Sequence, residues 1–451
     1  MPRRNVLWIL SVVLIFLLRW QGATGAGGDD DDYEFYRLLV DALNHIERSY
    51  VEKVDRKELL EGAIQGMLTN LDPYSSYINK ESFQQFQKHT EGHFGGIGIQ
   101  IGRETRNSPL TVISPLVGTP AYKAGIHAGD KIVEIEGQST ENTTVDQAAN
   151  KIMGAPDTEV TLTILQEGKT EPRTITLTRK EIQIESVLGD NRKPDDRWDW
   201  VLDKKSKIAY VRINSFISST RSDLDKAISQ AKEDGMVGLV LDLRFNPGGL
   251  LQSAIEVSDM FLRSGAIVST EGRNTRPREW KATGDGSHTD FPLAILVNHY
   301  SASASEIVAA ALQDNGRAKI VGDRTWGKGS VQNVIELEGG KSALKLTTAE
   351  YHRPNGHNIH RREKAKETDE WGVMPDDGLE VKFSPEETVQ YVRWRRERDI
   401  LRNKPAEPKN NGESKPEEKG PDAAKPFVDK QLQKALEYVQ SQLTSKVATR
   451  K

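Results

Sequence analysis

Residues 297–307 read Val297-Asn298-His299-Tyr300-Ser301-Ala302-Ser303-Ala304-Ser305-Glu306-Ile307; the apolar run Leu293-Ala294-Ile295-Leu296-Val297 leads into them and a helical pattern at 308–312 follows. A strand that passes through small residues into a helix is the repeating unit of an α/β body. A serine at such a turn has its hydroxyl near the unpaired N–H groups of the first helical turn, which can hold a developing oxyanion. Ser301, Ser303 and Ser305 all qualify, and each serves equally well as an N-cap or first-turn residue without chemistry.

Residues 322–332 read Gly322-Asp323-Arg324-Thr325-Trp326-Gly327-Lys328-Gly329-Ser330-Val331-Gln332. This approaches the phosphate loop G-x-x-x-x-G-K-[ST], but Gly329 stands where the hydroxyl is required and the residues after it look strand-like, so a nucleotide site fails twice. Lys328 between two glycines is instead a lysine on a backbone that can approach another segment closely. A third stretch, Leu241-Asp242-Leu243-Arg244-Phe245-Asn246-Pro247-Gly248-Gly249-Leu250, ends a strand in a glycine pair ahead of a helix. Its N–H groups are oxyanion-hole candidates, or the pair marks a tight turn.

The three stretches are strand ends of one sheet, and such ends share a crevice. The G-x-S-x-G elbow and the H-E-x-x-H zinc site are absent, so a serine nucleophile here needs another base. A lysine serves only when neutral; bringing Lys328 down by about three units from ~10.4 costs about 4 kcal/mol, supplied by burial. Gln332 is placed to hold the amine by a neutral hydrogen bond. The chain has no cysteine, which excludes thiol nucleophiles, thiolate metal sites and disulfides. With 62 Lys+Arg against 66 Asp+Glu in 451 residues, no nucleic-acid partner is implied. No metal or cofactor is expected.

The rest of the chain divides by composition. Residues 1–26 combine a basic start, an apolar run at 6–18 and a small-residue exit, the pattern of a secretory signal; Trp8 and Trp20 also suit an uncleaved membrane anchor. The expectation is an extracytoplasmic protein, in a bacterial periplasm or cell envelope. Residues 33–90 read as a helical cap in which Phe35, Leu38, Leu39, Ala42 and Ile46 should bury one face. Residues 93–181 read as a glycine-punctuated β-rich module, 205–382 as the α/β body, 403–426 as a disordered linker, and 428–445 as an amphipathic helix. Helical ends at Tyr36 and Leu443 are candidate elements of a homo-oligomer.

From about residue 36 to 376 these features resemble the carboxy-terminal-processing, or tail-specific, serine proteases. The resemblance rests on Leu71-Asp72-Pro73-x-Ser75, Phe94-Gly95-Gly96-Ile97-Gly98, Gly129-Asp130-x-Ile132, Asp242-Leu243-Arg244-x-Asn246-Pro247-Gly248-Gly249, Ser301-Ala302-Ser303-Ala304-Ser305-Glu306 and Gly327-Lys328-Gly329-x-x-Gln332. It implies a multidomain fold: an α/β protease body with an inserted PDZ domain, an N-terminal helical cap and a C-terminal helix. It selects Ser303 as nucleophile, Lys328 as general base and Gln332 as the residue orienting it, with Ala304 and Gly248 or Gly249 as oxyanion donors. It also makes Gly95, Gly96, Ile97, Gly98 and Ile99 the carboxylate loop of the PDZ domain, with Ile97, Ile99 and Ile101 lining a pocket for free apolar C-termini of protein substrates. Glu306, one turn after Ser303, either orients Lys328 or is an ordinary first-turn carboxylate. The competing expectation is an inactive PDZ adaptor that only holds C-termini.

Overall fold

The computed structural model describes residues 29–103, 105, 108–400 and 427–449; the signal-like segment 1–26 and the linker 403–426 lie outside the described residues. The chain divides into two compact units, residues up to 79 with 334–346, and residues 80–333 with 347 onward.

In the first unit, helix α1 (Asp29–Ser49) precedes α2 (Arg56–Thr69) and strand β1 (Ser76–Ile78). The Asp55 carboxylate starts α2 by accepting from the N–H groups of Lys57 and Glu58, which neutralises two orphan donors of the first turn. Strand β1 pairs antiparallel with residues 343–345. The expected burial of one α1 face is not met. Phe35 and Leu38 are 71% and 68% exposed, and Leu43 is buried: the apolar stripe is present, but among the described residues no layer of its unit covers it.

The second unit holds two cores. After α3 (Lys80–Glu91), the glycine-punctuated stretch that opens the β-rich module forms two strands, β2 (His93–Gly96) and β3 (Ile99–Gly102). Gly98 causes the break. It sits at φ +75°, and a Cβ there would lie 2.4 Å from the Cβ of Thr119, a conformation and a contact that only glycine tolerates. Strand β3 joins β4 (Thr111–Pro115), β5 (Lys131–Ile135), β6 (Glu159–Leu165) and β7 (Arg173–Thr178) in the order β3-β4-β5-β6-β7, whereas β2 pairs with β8 (Lys180–Gln183). Ile97, Val112, Ile132, Leu162 and Ile164 fill this core. Helix α4 (Val145–Ile152) opens on a capping box of Thr144 and Gln147 and packs against β3 and β5.

The body is built on four parallel strands, β9 (Ile208–Ile213), β10 (Gly238–Asp242), β11 (Leu293–Val297) and β12 (Lys319–Gly322), adjacent in that order. Every residue of β9, β10 and β11 is buried, which requires cover on both faces. Helices α5 (Thr220–Glu233), α6 (Leu251–Asp259) and α7 (Ala304–Asp314) cover one face through Leu224, Ile228, Val257 and Ile307. The other face receives α9 (Lys430–Thr449), whose Leu432, Ala435 and Val439 pack on Ile208, Val240, Leu296 and Val321. Helix α8 (Pro385–Asp399) is absent from the sequence expectation. Its start is well marked by Pro385 and a capping box of Ser384 and Glu387, but it buries Tyr391 and Arg395 in place of an apolar stripe. Asp242 stands beside Leu296, and Val297 beside Gly322, so the carboxyl ends of β10, β11 and β12 meet at one edge.

Candidate active site

Three serines follow β11, and their surroundings separate them. The Ser301 hydroxyl donates to the Leu243 carbonyl at 2.9 Å and accepts from the Asn298 N–H at 3.0 Å. The Ser305 hydroxyl donates to the Asn246 carbonyl at 2.9 Å. Both are fully buried and tie the turn to the segment after β10. Ser303 differs: it is 8% exposed and stands at φ +55°, ψ −113°. A non-glycine residue held there stores roughly 1–3 kcal/mol of strain, and such strain concentrates at functional sites. Ala304, the next residue, opens α7, so its N–H is among those without an intrahelical partner.

What holds Ser303 in place is Glu306. Its fully buried carboxylate accepts four hydrogen bonds: the Ser303 N–H at 2.7 Å and the Lys328 N–H at 2.8 Å on Oε2, and the Gly327 N–H at 2.7 Å and the Thr325 hydroxyl at 2.5 Å on Oε1. The Thr325 oxygen itself accepts from the Val373 N–H at 2.7 Å, so its own proton points at Glu306. Burial pushes the Glu306 carboxyl above its usual value, and these hydrogen bonds, led by that of Thr325, oppose the rise. Four donors fill the four lone-pair sites of an ionised carboxylate. One oxygen thus binds the main chain of both Ser303 and Lys328, whose nitrogens can be no further apart than the sum of 2.7 and 2.8 Å. The role of Glu306, left open between two readings in the sequence, is to join the two loops. Thr325 carried no signal at all, being a threonine in a loop until the fold brings it to α7.

The lysine loop is packed as its glycines require. A Cβ on Gly329 would lie 2.3 Å from the His360 nitrogen, and Gly327 at φ +85° leaves 2.7 Å to the Cβ of Arg361. Lys328 itself is half-buried, and the half-buried Gln332 donates to Ser330 at 2.8 Å and Thr347 at 3.2 Å. The glycine pair after β10 lies against Ser303, for a Cβ on Gly248 would come within 2.8 Å of the Ser303 Cβ. Its N–H, however, donates to Asn246 Oδ1 at 2.8 Å and is committed there, while Gly249, at φ +145°, presses on the main chain of Phe216. Of the expected oxyanion donors, Ala304 stands at the first position of α7 and the Gly248 N–H meets a side-chain acceptor. Asn246 is part of the motif but has no role assigned from the sequence, and its carbonyl also takes the Ala302 N–H at 3.0 Å.

The β-rich module corrects the expected carboxylate loop. Gly95 and Gly96 are paired with Glu181 and Lys180 in the β2–β8 ladder. Gly95 is glycine because a Cβ would lie 2.0 Å from the Gly154 carbonyl, a close backbone approach unrelated to ligand. The Ile97 side chain is wholly buried in the core, and Ile97-Gly98 are the residues left between β2 and β3. Ile99 and Ile101 remain half-buried on β3, an edge strand of its sheet among the described residues.

Residues 207–377 match Peptidase family S41, residues 85–165 match the PDZ domain, and residues 26–82 match the activating protease CtpB N-terminal domain. A carboxy-terminal-processing protease of Bartonella bacilliformis is 39% identical over 365 residues, covering 80% of each chain. This chain belongs to the carboxy-terminal-processing proteases. Another such protease, from Synechocystis sp., is 34% identical over 375 residues, 80% of this chain and 83% of its own. Among solved structures, a photosystem II D1 C-terminal processing protease is 30% identical, with a TM-score of 0.41 over 77% of this chain and 93% of its own. The carboxy-terminal-processing protease described here is therefore a serine-type peptidase with a PDZ domain, an S41 body, N-terminal helices and a C-terminal helix.

Proposed function

We propose that this protease cleaves peptide bonds with a Ser303–Lys328 dyad and selects substrates by an apolar C-terminus bound along β3 of the PDZ domain. One observation carries the reading: a single buried carboxylate oxygen of Glu306 holds the main chain of both residues. The Ser303 Oγ attacks the scissile carbonyl carbon while the neutral Lys328 amine takes the hydroxyl proton. The tetrahedral oxyanion is met by the Ala304 N–H, and collapse passes the proton to the leaving amine, giving an acyl-enzyme. Water then surrenders a proton to Lys328 and attacks the ester carbon; the C–Oγ bond breaks as Lys328 returns that proton to the Ser303 Oγ, which releases the new carboxyl end and restores both residues. Gln332 orients the lysine loop through Ser330 and Thr347. At β3 the substrate adds a strand by main-chain hydrogen bonds, with Ile99 and Ile101 beneath its final side chains.

The protein acts outside the cytoplasm, with residues 1–26 as signal or anchor, and the exposed α1 face supports a homo-oligomer. The test is mass spectrometry of fragments from proteins with apolar or charged tails, together with a serine-directed active-site label. Wild type is labelled at Ser303 and cuts apolar-tailed substrates; Ser303→Ala and Lys328→Arg cut nothing, since a guanidinium stays protonated. Turnover by the arginine variant removes the general-base role, and an unlabelled wild type that still binds tails makes the chain an adaptor.

A further inference from the structure

Three aromatic rings, those of His299, Tyr300 and Trp326, lie outside the cores on the segments that carry Ser303 and Lys328, and a fourth, Phe245, joins them to the buried Tyr391, on which it stacks at 5.4 Å. Phe245 and Tyr300 are stacked with centroids 5.0 Å apart and planes at 14°. Tyr300 meets His299 at 5.9 Å, and His299 meets Trp326 at 5.3 Å. Tyr300 is 49% exposed and Trp326 42% exposed. Single exposed aromatics are ordinary surface features, but a contiguous row is not.

This row is also held by design of the main chain. The buried Asn298 presents one oxygen, Oδ1, to the N–H of Phe245 at 3.0 Å and to the N–H of Tyr300 at 3.1 Å, which sets the two rings in register. Phe245 adopts φ +59°, a strained conformation for a bulky residue. The Trp326 main-chain N–H donates to the Ser301 carbonyl at 2.9 Å, tying its backbone to the turn that carries Ser303. Strain at Phe245 and a buried carboxamide thus support a row in which Tyr300 and Trp326 stay at the surface, which lowers stability unless something covers them. The row is continuous with the site. Tyr300 lies three residues before Ser303, Trp326 two before Lys328, and Phe245 three before Gly248.

We propose that His299, Tyr300 and Trp326, with Phe245 backing Tyr300, form the wall of the substrate cleft and receive apolar side chains flanking the scissile bond. The inference rests on Ser303 being the nucleophile. A substrate with its carbonyl at Ser303 must run beside these rings, and aliphatic or aromatic side chains lying on their faces exclude water where a carboxylate would be desolvated without a partner. The protease would then read its substrate twice, at the tail through the PDZ domain and at the cut through this wall.

The test uses the full chain and two peptides with the same apolar tail, one with leucine and one with aspartate beside the cleaved bond. Wild type prefers the leucine peptide. Trp326→Ala and Tyr300→Ala each lower the leucine-to-aspartate ratio of kcat/KM about tenfold, mainly through KM for leucine, and Tyr300→Phe, which keeps the ring, recovers the preference. An unchanged ratio, or equal losses on both peptides, overturns the proposal. So does a change of oligomeric state in Tyr300→Ala with discrimination intact, which would make the row a contact between copies. Labelling of Ser303 is followed in every sample: a wild type that is neither labelled nor active defeats the protease reading, whereas a labelled, active wild type with an unaltered ratio defeats the wall alone.

Discussion

Glu306 and Asp242 are both fully buried carboxylates near the same strand ends, and they are kept in opposite ways. Glu306 is surrounded by three main-chain N–H groups and a hydroxyl, and burial leaves its carboxyl above the usual value. Burial presses on Asp242 as well, but the Arg244 guanidinium, at 2.6 Å, more than offsets it and holds the group below the usual value, helped by the Tyr210 hydroxyl at 2.6 Å. Arg244 continues to the Asp429 carboxylate at 2.8 and 3.0 Å and to Gln431 at 3.0 Å. Neutral donors fix direction without a strong counter-charge, which suits a group that positions a nucleophile. A cation between two carboxylates fixes a strand end to a helix, which suits an anchor. The difference separates site from scaffold within one edge of one sheet.

If that division holds, damage to the anchor should appear chiefly as lost stability. Asp242→Asn leaves Arg244 with half of its counter-charge in a dry site, and breaking such a pair costs about 3–5 kcal/mol. Urea unfolding should show that loss, while kcat per folded molecule stays within a few-fold of wild type. A hundredfold fall in kcat with unaltered unfolding would reverse the roles of the two carboxylates.

Damage to the positioning carboxylate should appear in turnover first. Glu306→Gln keeps one acceptor oxygen, so one of the two donor pairs must face an NH2 group. Losing two bonds to a charged acceptor costs roughly 3 kcal/mol, about a hundredfold in kcat/KM if it is spent on misplacing Ser303. Active-site titration with the serine label distinguishes slower turnover from loss of folded enzyme. Full activity in the glutamine variant would mean that the shared oxygen is incidental.

How far these features could be read from sequence follows from the range over which each is determined. The serine run and the lysine loop were legible because small residues around Ser303 and glycines around Lys328 are demanded locally by turn and close packing. The Glu306 junction was not, since a glutamate at the third helical position looks the same whether it caps its own helix or also receives Thr325, Gly327 and Lys328 from another strand end. Gly95 misled for a related reason. A glycine reports that no side chain fits, and here the obstruction is the Gly154 carbonyl, not a ligand. Arg244 and Asp429 are 185 residues apart, and a buried arginine is invisible to apolar periodicity; the same applies to α8, which Arg395 fastens to Asp190 at 2.7 Å.

The anchor can be probed more gently from its far end. Asp429→Asn retains the shape and one acceptor oxygen opposite Arg244 while removing one of the two balancing charges, so about 1.5 kcal/mol should be lost. Because Asp429 immediately precedes α9 and its oxygen also takes the Leu432 N–H at 3.0 Å, the loss should appear as faster amide exchange in α9 ahead of the strands it covers. Uniform acceleration across the body would mean that α9 and the sheet unfold as one unit.

The finest discrimination is by pH. Asp242 has a folded value below the 3.8 it would otherwise show, so its ionised form stabilises the fold above that range, and the contribution is lost as pH falls through the folded value. Glu306 has a folded value above 4.5, so the folded state binds more protons than the unfolded chain there, and stability declines as pH rises from 4.5 through the folded value, then levels. Each unit of difference corresponds to about 1.4 kcal/mol. Difference curves of unfolding free energy against pH should therefore slope in opposite senses: subtracting Asp242→Asn from wild type leaves a term that grows as pH rises out of the acid range, and subtracting Glu306→Gln leaves one that shrinks above 4.5. Parallel curves would show that both carboxylates are governed by the same balance of burial and charge, and the distinction between anchor and positioning group would then have no electrostatic basis.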